Sequence, residues 1–251
     1  MKQALIKLHI SVFLAGFTGI LGKLIQLNEG LLTWYRIGIT VVTLFAWMTW
    51  KGKLERIAAA DVWRLLGTGA LIALHWVCFY GSIKASNVSI GLVCFASVGL
   101  FTALLEPLMT DKQFSWREVG LGLISLLGIY LIFHFDGRYR TGIFLGVISA
   151  VLGALFSVLN KRYVHVASPQ TMMVYELSGG LTILSVLMPL YLAWFPVETI
   201  LPSAQDWLWL LILAWLCTIL AMDLMLQALK KVSAFTQNLT LNLEPVYGIL
   251  M

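Results

Sequence analysis

Charge is scarce in this chain. Asp, Glu, Lys and Arg make up 12% of its 251 residues, against about 25% in soluble domains. Apolar residues make up 60%, where about 45–50% is ordinary, and mean hydropathy is +0.89. These figures exclude a soluble helical protein and make the lipid bilayer the solvent of this chain. Cysteine is rarer still. Cys78, Cys94 and Cys217 each lie inside an apolar run without ligand-type spacing, so neither a disulfide framework nor a zinc site is implied. The four histidines (His9, His75, His134, His165) form no HExxH pair, and His134 with Asp136 is too little for a metal set. No GxxxxGK[ST] segment occurs, so a zinc protease and direct ATP coupling both lack their residues. Polar loops long enough to carry a transferase's catalytic groups are missing too.

What the chain has is apolar runs. About 20 residues at 1.5 Å each cross a bilayer core, and nine spans satisfy that rule: 8–25, 31–50, 65–83, 88–109, 119–135, 142–160, 172–195, 207–229 and 233–251. Lys2 and Lys7 ahead of the first span resemble a signal peptide. Further spans follow at once and Lys23 stands where a small-residue cleavage site is wanted, so this is the first transmembrane helix. With the N-terminus in the cytoplasm, the inner segments hold Lys2, Lys7, Lys51, Lys53, Arg56, Arg64, Lys112, Arg117, Lys161, Arg162, Lys230 and Lys231. The outer ones hold only Lys84, Arg138 and Arg140. Twelve against three predicts a cytoplasmic N-terminus.

One stretch organises the rest. Residues 71–107 read LIALHWVCFYGSIKASNVSIGLVCFASVGLFTALLEP, two apolar runs hinged at 82–87, and a fainter copy of part of it begins at Leu220. Laying Lys84 over Lys230 separates the copies by 146 residues. Five spans lie between equivalent points, and an odd number turns the second copy upside down, a recurrent architecture of secondary transporters.

The segments HWVCFYGSIKASNVSIG, FTALLEP and ALKKVSAFTQNLTLNLEPVYG resemble the two halves of an EamA-type carrier of the drug/metabolite transporter superfamily. Trp34-Tyr35-Arg36 is similar to that family's arginine-bearing second helix. The resemblance implies ten helices in two inverted five-helix repeats, at 5–135 and 142–251, with both termini cytoplasmic. Nine spans leave the second repeat without its last helix, since the chain stops at Met251 where the ninth should be leaving the membrane. The fold expected is therefore an all-α membrane protein, a polytopic helix bundle of nine spans in two inverted repeats, the second incomplete.

Polar side chains in hydrocarbon are costly, which makes each a candidate site residue. His75 and Glu244 lie near the midplane, where carriers hold substrate. Gln237, Thr240 and Glu244 form one stripe of the ninth span, with Asn238 and Asn242 a second. Pro245 removes an N–H and kinks the helix; beside it Glu244 is either a proton or cation site or a structural kink residue held neutral or paired. Arg36 suits a planar anion, a pairing with Glu244, or a snorkelling role. His75 with Trp76 offers titration and stacking, or plain packing. Glu176 precedes Gly179 and Gly180 in a segment that reads as a gate or as structure, and Glu106, two turns past the point equivalent to Glu244, reads as a helix-end residue. Gly16, Gly19 and Gly22 form a small-residue stripe for helix packing and sliding.

The leading functional reading is a secondary carrier that exports a small organic metabolite, such as an amino acid, by alternating access, with a proton gradient or the solute's own gradient as driving force. A channel is the alternative; an intramembrane enzyme ranks below both. The expected setting is the cell (inner) membrane, multi-pass. Its partners are the bilayer, a small-molecule substrate and protons, with a homodimer as a further candidate; no nucleic acid, cofactor or metal is implied.

Overall fold

The computed structural model describes residues 2–133, 137–244, 246 and 247. Pro245, and His134 with Asp136, lie outside the described residues. All regular structure among them is helical: α1 (Lys2–Leu24), α2 (Glu29–Trp50), α3 (Ala59–Ala85), α4 (Val88–Phe95), α5 (Val98–Met109), α6 (Trp116–Phe133), α7 (Arg140–Tyr163), α8 (Pro169–Trp194), α9 (Ala204–Ala214), α10 (Ala221–Leu229) and α11 (Ala234–Leu241). A 3₁₀ turn, Gly137–Tyr139, leads into α7, and a π-helical turn, Trp215–Leu220, joins α9 to α10.

Seven helical stretches among the described residues are long and apolar enough to cross a membrane: α1, α2, α3, α4 with α5, α7, α8, and α9 through α10. The other two expected spans, 119–135 and 233–251, run into residues outside the described set. Exposed Val42, Leu108, Ile124, Phe144, Val186 and Leu190 form the outside of the bundle. In water such a surface invites association; against lipid tails it is in its own solvent. Exposed Trp47 and Trp50 near one end, and Trp194 and Trp207 near the other, sit where interfacial belts belong. Lys51 Nζ stands 4.2 Å from the Trp50 ring centroid.

Polar residues in the short connections start the helices. Asn28, Asn87, Ser168, Ser203 and Ser233 are N-caps whose side chains accept a backbone N–H from the first turn, supplying an acceptor that hydrocarbon lacks. α3 is the central element, packed along both α7 and α8, while α1 lies on α10. Small residues allow the close approach. A Cβ at Gly22 would overlap the Tyr80 ring, and one at Gly142 or Gly146 would press on Ser86 or Cys94. Gly16 and Gly19 are buried on the same side of α1, with Val88 of α4 over Gly19.

Two helices are interrupted in matching ways. α4 and α11 are each eight residues long, each begins at a side-chain cap, and each ends in a turn, at 96–97 and 242–243. Their starting points, Val88 and Ala234, are 146 positions apart.

At the face where α1 begins, Glu106 is more than a helix-end residue. Its carboxylate accepts the N–H groups of Ala234 and Phe235, at 2.7 and 2.9 Å, and receives Lys112 Nζ at 2.9 Å. A residue of α5 thus closes the start of α11 with negative charge at the positive end of the helix. Lys161 Nζ reinforces the corner by donating to the carbonyls of Leu229 and Val232. Glu106→Gln leaves one of the two N–H groups facing an amide donor. It should lower stability by about 2 kcal/mol, read as a fall in the thermal unfolding midpoint in detergent; an unchanged midpoint would refute the cap.

Candidate functional site

α2 turns a single stripe inward at i, i+4 spacing: Leu32, Arg36, Thr40, Leu44 and Met48, all buried. Arg36 is thereby carried into the bundle, where it is 2% exposed. A lone buried guanidinium would cost several kcal/mol, so its surroundings must supply acceptors. Arg36 Nε donates to Thr218 Oγ1 at 2.8 Å, and one terminal nitrogen donates to Tyr80 Oη at 2.7 Å. The other points to the Cys217 carbonyl at 3.4 Å. The guanidinium carbon sits 3.7 Å from the Trp76 ring centroid, a cation–π contact in a desolvated setting.

The Cys217 carbonyl and Thr218 hydroxyl are in place because the helix is π-wound at Trp215–Leu220. Widening the turn shifts each carbonyl from its usual i+4 donor, and Thr218 Oγ1 itself donates five residues back, to the Leu213 carbonyl at 2.8 Å. π-turns concentrate at functional sites for this reason.

Arg36 borders a cavity among α1, α3, α7 and α10, with Glu244 also on its wall. Its free space is about 90 Å³, several water molecules at ~10–15 Å³ each. Ser11, Thr18 and Ser157 add hydroxyls; Trp76, Phe79, Phe95 and Phe156 add apolar and aromatic walls. Glu244 is 4% exposed, beside the Thr18 hydroxyl and within the field of Arg36. Among the described residues the ion pairs are Arg64–Asp61, Lys112–Glu106 and Lys112–Glu118, so Arg36 and Glu244 share the cavity without a direct pair. His75 lines the same space. Its Nδ1 lies 2.8 Å from the Ser149 carbonyl and 2.9 Å from Ser149 Oγ. A carbonyl accepts only, which places the proton on Nδ1 and leaves Nε2 an acceptor. Phe79 stacks on the imidazole and Phe95 tilts against it.

The structure thus brings Arg36, His75, Trp76 and Glu244 together and leaves four other candidates elsewhere. Asn238 is a tie between helices: its Nδ2 donates to Thr102 of α5 at 2.7 Å and its Oδ1 accepts from Ser157 of α7 at 3.0 Å. Gln237 is buried away from the cavity, and Asn242 sits in the turn after α11. Glu176 is fully buried on α8, also outside the cavity. Sequence reading missed Tyr80, Thr218, Ser11, Thr18 and Ser157. Tyr80 had a signal, one helical turn beyond Trp76 on the same face. Thr218 had none, because its position depends on π-winding.

A bundle of membrane-length apolar helices, with interrupted helices and a buried cavity that holds a guanidinium and a carboxyl, fits a polytopic integral membrane protein. The model of the EamA-like transporter family matches residues 3–134 and again 140–251, and the chain belongs to that family, within the drug/metabolite transporter superfamily. Twelve chains of solved structures match. One, described simply as a crystal structure of a protein, aligns with a TM-score of 0.74 at 18% identity, over 100% of this chain and 87% of its own. At that identity the likeness speaks for the fold alone. No curated protein sequence matches the chain.

Proposed function

We propose that this protein is an alternating-access secondary transporter that exports a small zwitterionic metabolite of the amino-acid class across the cell (inner) membrane. The observation that carries the reading is one cavity holding a buried guanidinium and a buried carboxyl that do not pair with each other. Arg36 keeps N–H groups beyond those spent on Thr218, Tyr80 and Cys217, suited to a solute carboxylate. Glu244 and the His75 Nε2 are acceptors suited to an ammonium group. Trp76, Phe79 and Phe95 fit an apolar side chain.

The interrupted helices support two inverted repeats, 5–135 and 142–251, because α4 and α11 break at equivalent positions. Transporters commonly bind at such discontinuities. The twelve-to-three distribution of Lys and Arg supports a cytoplasmic N-terminus. Glu244 is the coupling group in this reading: it holds a proton in one arrangement and faces substrate or Arg36 in the other.

Counterflow in proteoliposomes with pooled, labelled amino acids tests the proposal. Saturable uptake stimulated from the trans side is expected; flux that neither saturates nor responds to trans solute would make the protein a channel. With a substrate in hand, Glu244→Gln should cut proton-driven accumulation at least ~10-fold and flatten its pH profile, since the amide cannot release a proton. An unchanged pH profile would remove Glu244 as the coupling group.

A further inference from the structure

Glu176 lies about seven residues into α8, ~10 Å from the helix start, and is not among the residues that line the cavity. Neither of its carboxyl oxygens has a hydrogen-bond partner among the described residues, and it has no exposed surface. Asn160 of α7, 1% exposed, is the polar side chain within reach. The Asn160 amide is oriented by its Nδ2, which donates to the Phe156 carbonyl at 3.3 Å. That leaves Asn160 Oδ1 as a third buried oxygen without a donor. Three acceptor oxygens in one dry spot repel one another unless a hydrogen stands between them.

Nearby charges do not supply it. Arg36 of α2 faces the cavity and bonds Thr218 and Tyr80, and Arg64 of α3 pairs with Asp61. Lys161, next to Asn160, donates to the carbonyls of Leu229 and Val232. Asp223 of α10 is held by Gln170 and Gln227.

We propose that Glu176 and Asn160 form a second internal proton site, in which the carboxyl of Glu176 carries a hydrogen and donates it to Asn160 Oδ1. The site is sealed by backbone. A Cβ at Gly69 of α3 would overlap the Glu176 carbonyl oxygen, and one at Gly179 would overlap the carbonyl of Leu66. α3 and α8 are therefore in backbone contact at this level, and water reaches Glu176 only when they part. In a carrier that parting accompanies one of the two access states, and opening hydrates the carboxyl and releases its proton. This transport role rests on the carrier reading above; the proton itself does not.

Infrared difference spectra of the purified protein, recorded against pH in water and heavy water, test the site without a substrate. At neutral pH the wild type should show a carboxylic-acid carbonyl band that Glu176→Gln removes and Glu244→Gln retains. Asn160→Leu should keep the band and shift it to higher frequency, because the acid loses its acceptor. Glu176→Gln should also unfold at or above the wild-type temperature, its amide donating where the acid did. A spectrum in which Glu176→Gln removes no acid band overturns the proposal. So does a sodium-dependent carboxylate change at this residue, which would make it a metal-cation site. If these spectra come out as expected while counterflow fails for every pool, the proton site stands and the carrier reading falls.

Discussion

Replacing Arg36 by lysine should abolish saturable transport in proteoliposomes while leaving a folded protein. Lysine keeps the charge and loses the plane: an ammonium cannot reach Thr218 and Tyr80 together, nor lie flat over Trp76. Each charge-assisted hydrogen bond is worth about 1.5–3 kcal/mol. Losing two with the stacking contact predicts a fall of ~100-fold or more in transport efficiency, measured as the initial rate of counterflow. Wild-type rates in Arg36→Lys would show that a point charge suffices, and would end the assignment of Arg36 as the anchor of a solute carboxylate.

The second large effect concerns a methyl group. Gly69→Ala places a Cβ onto the carbonyl oxygen of Glu176, and because that oxygen belongs to a backbone no side chain can swing aside. α3 and α8 must separate, at a cost of about 3 kcal/mol or more. Gly67→Ala, two residues earlier on the same helix, meets nothing within 4 Å. It should stabilise by up to ~1 kcal/mol through helix propensity. Thermal unfolding of the two variants in one detergent measures the difference. If they unfold alike, the α3–α8 contact is looser than the structure shows.

Much of the fold was legible because hydrocarbon enforces its rules locally. Apolar runs longer than the membrane is thick, small polar residues between them, and Lys or Arg on one side appear directly in the chain, as does the 146-residue spacing. The site was half legible. His75 and Glu244 were marked by their depth in apolar runs, Trp76 by standing beside His75, and Arg36 as a charge within a span that resembles the family's arginine-bearing helix. Asn238 passed the same test yet ties helices together, because a polar stripe does not say whether it faces solute or protein. Glu106 was undervalued for a related reason: its partners are the N–H groups of Ala234 and Phe235, more than a hundred positions away, and no local pattern announces a cap supplied by another helix.

The π-turn at Trp215–Leu220 has a bearing on how this protein tolerates change. Such a turn takes up one residue more than α-winding needs for the same rise and rotation. Deleting one residue within it would let the helix close into plain α-winding with α10 kept near its place. Ala221, Met222 and Met225 would stay on the wall they share with Arg36. The Cys217 carbonyl and the Thr218 hydroxyl would lose the offset that aims them at the guanidinium. The extra residue serves the arginine rather than the helix.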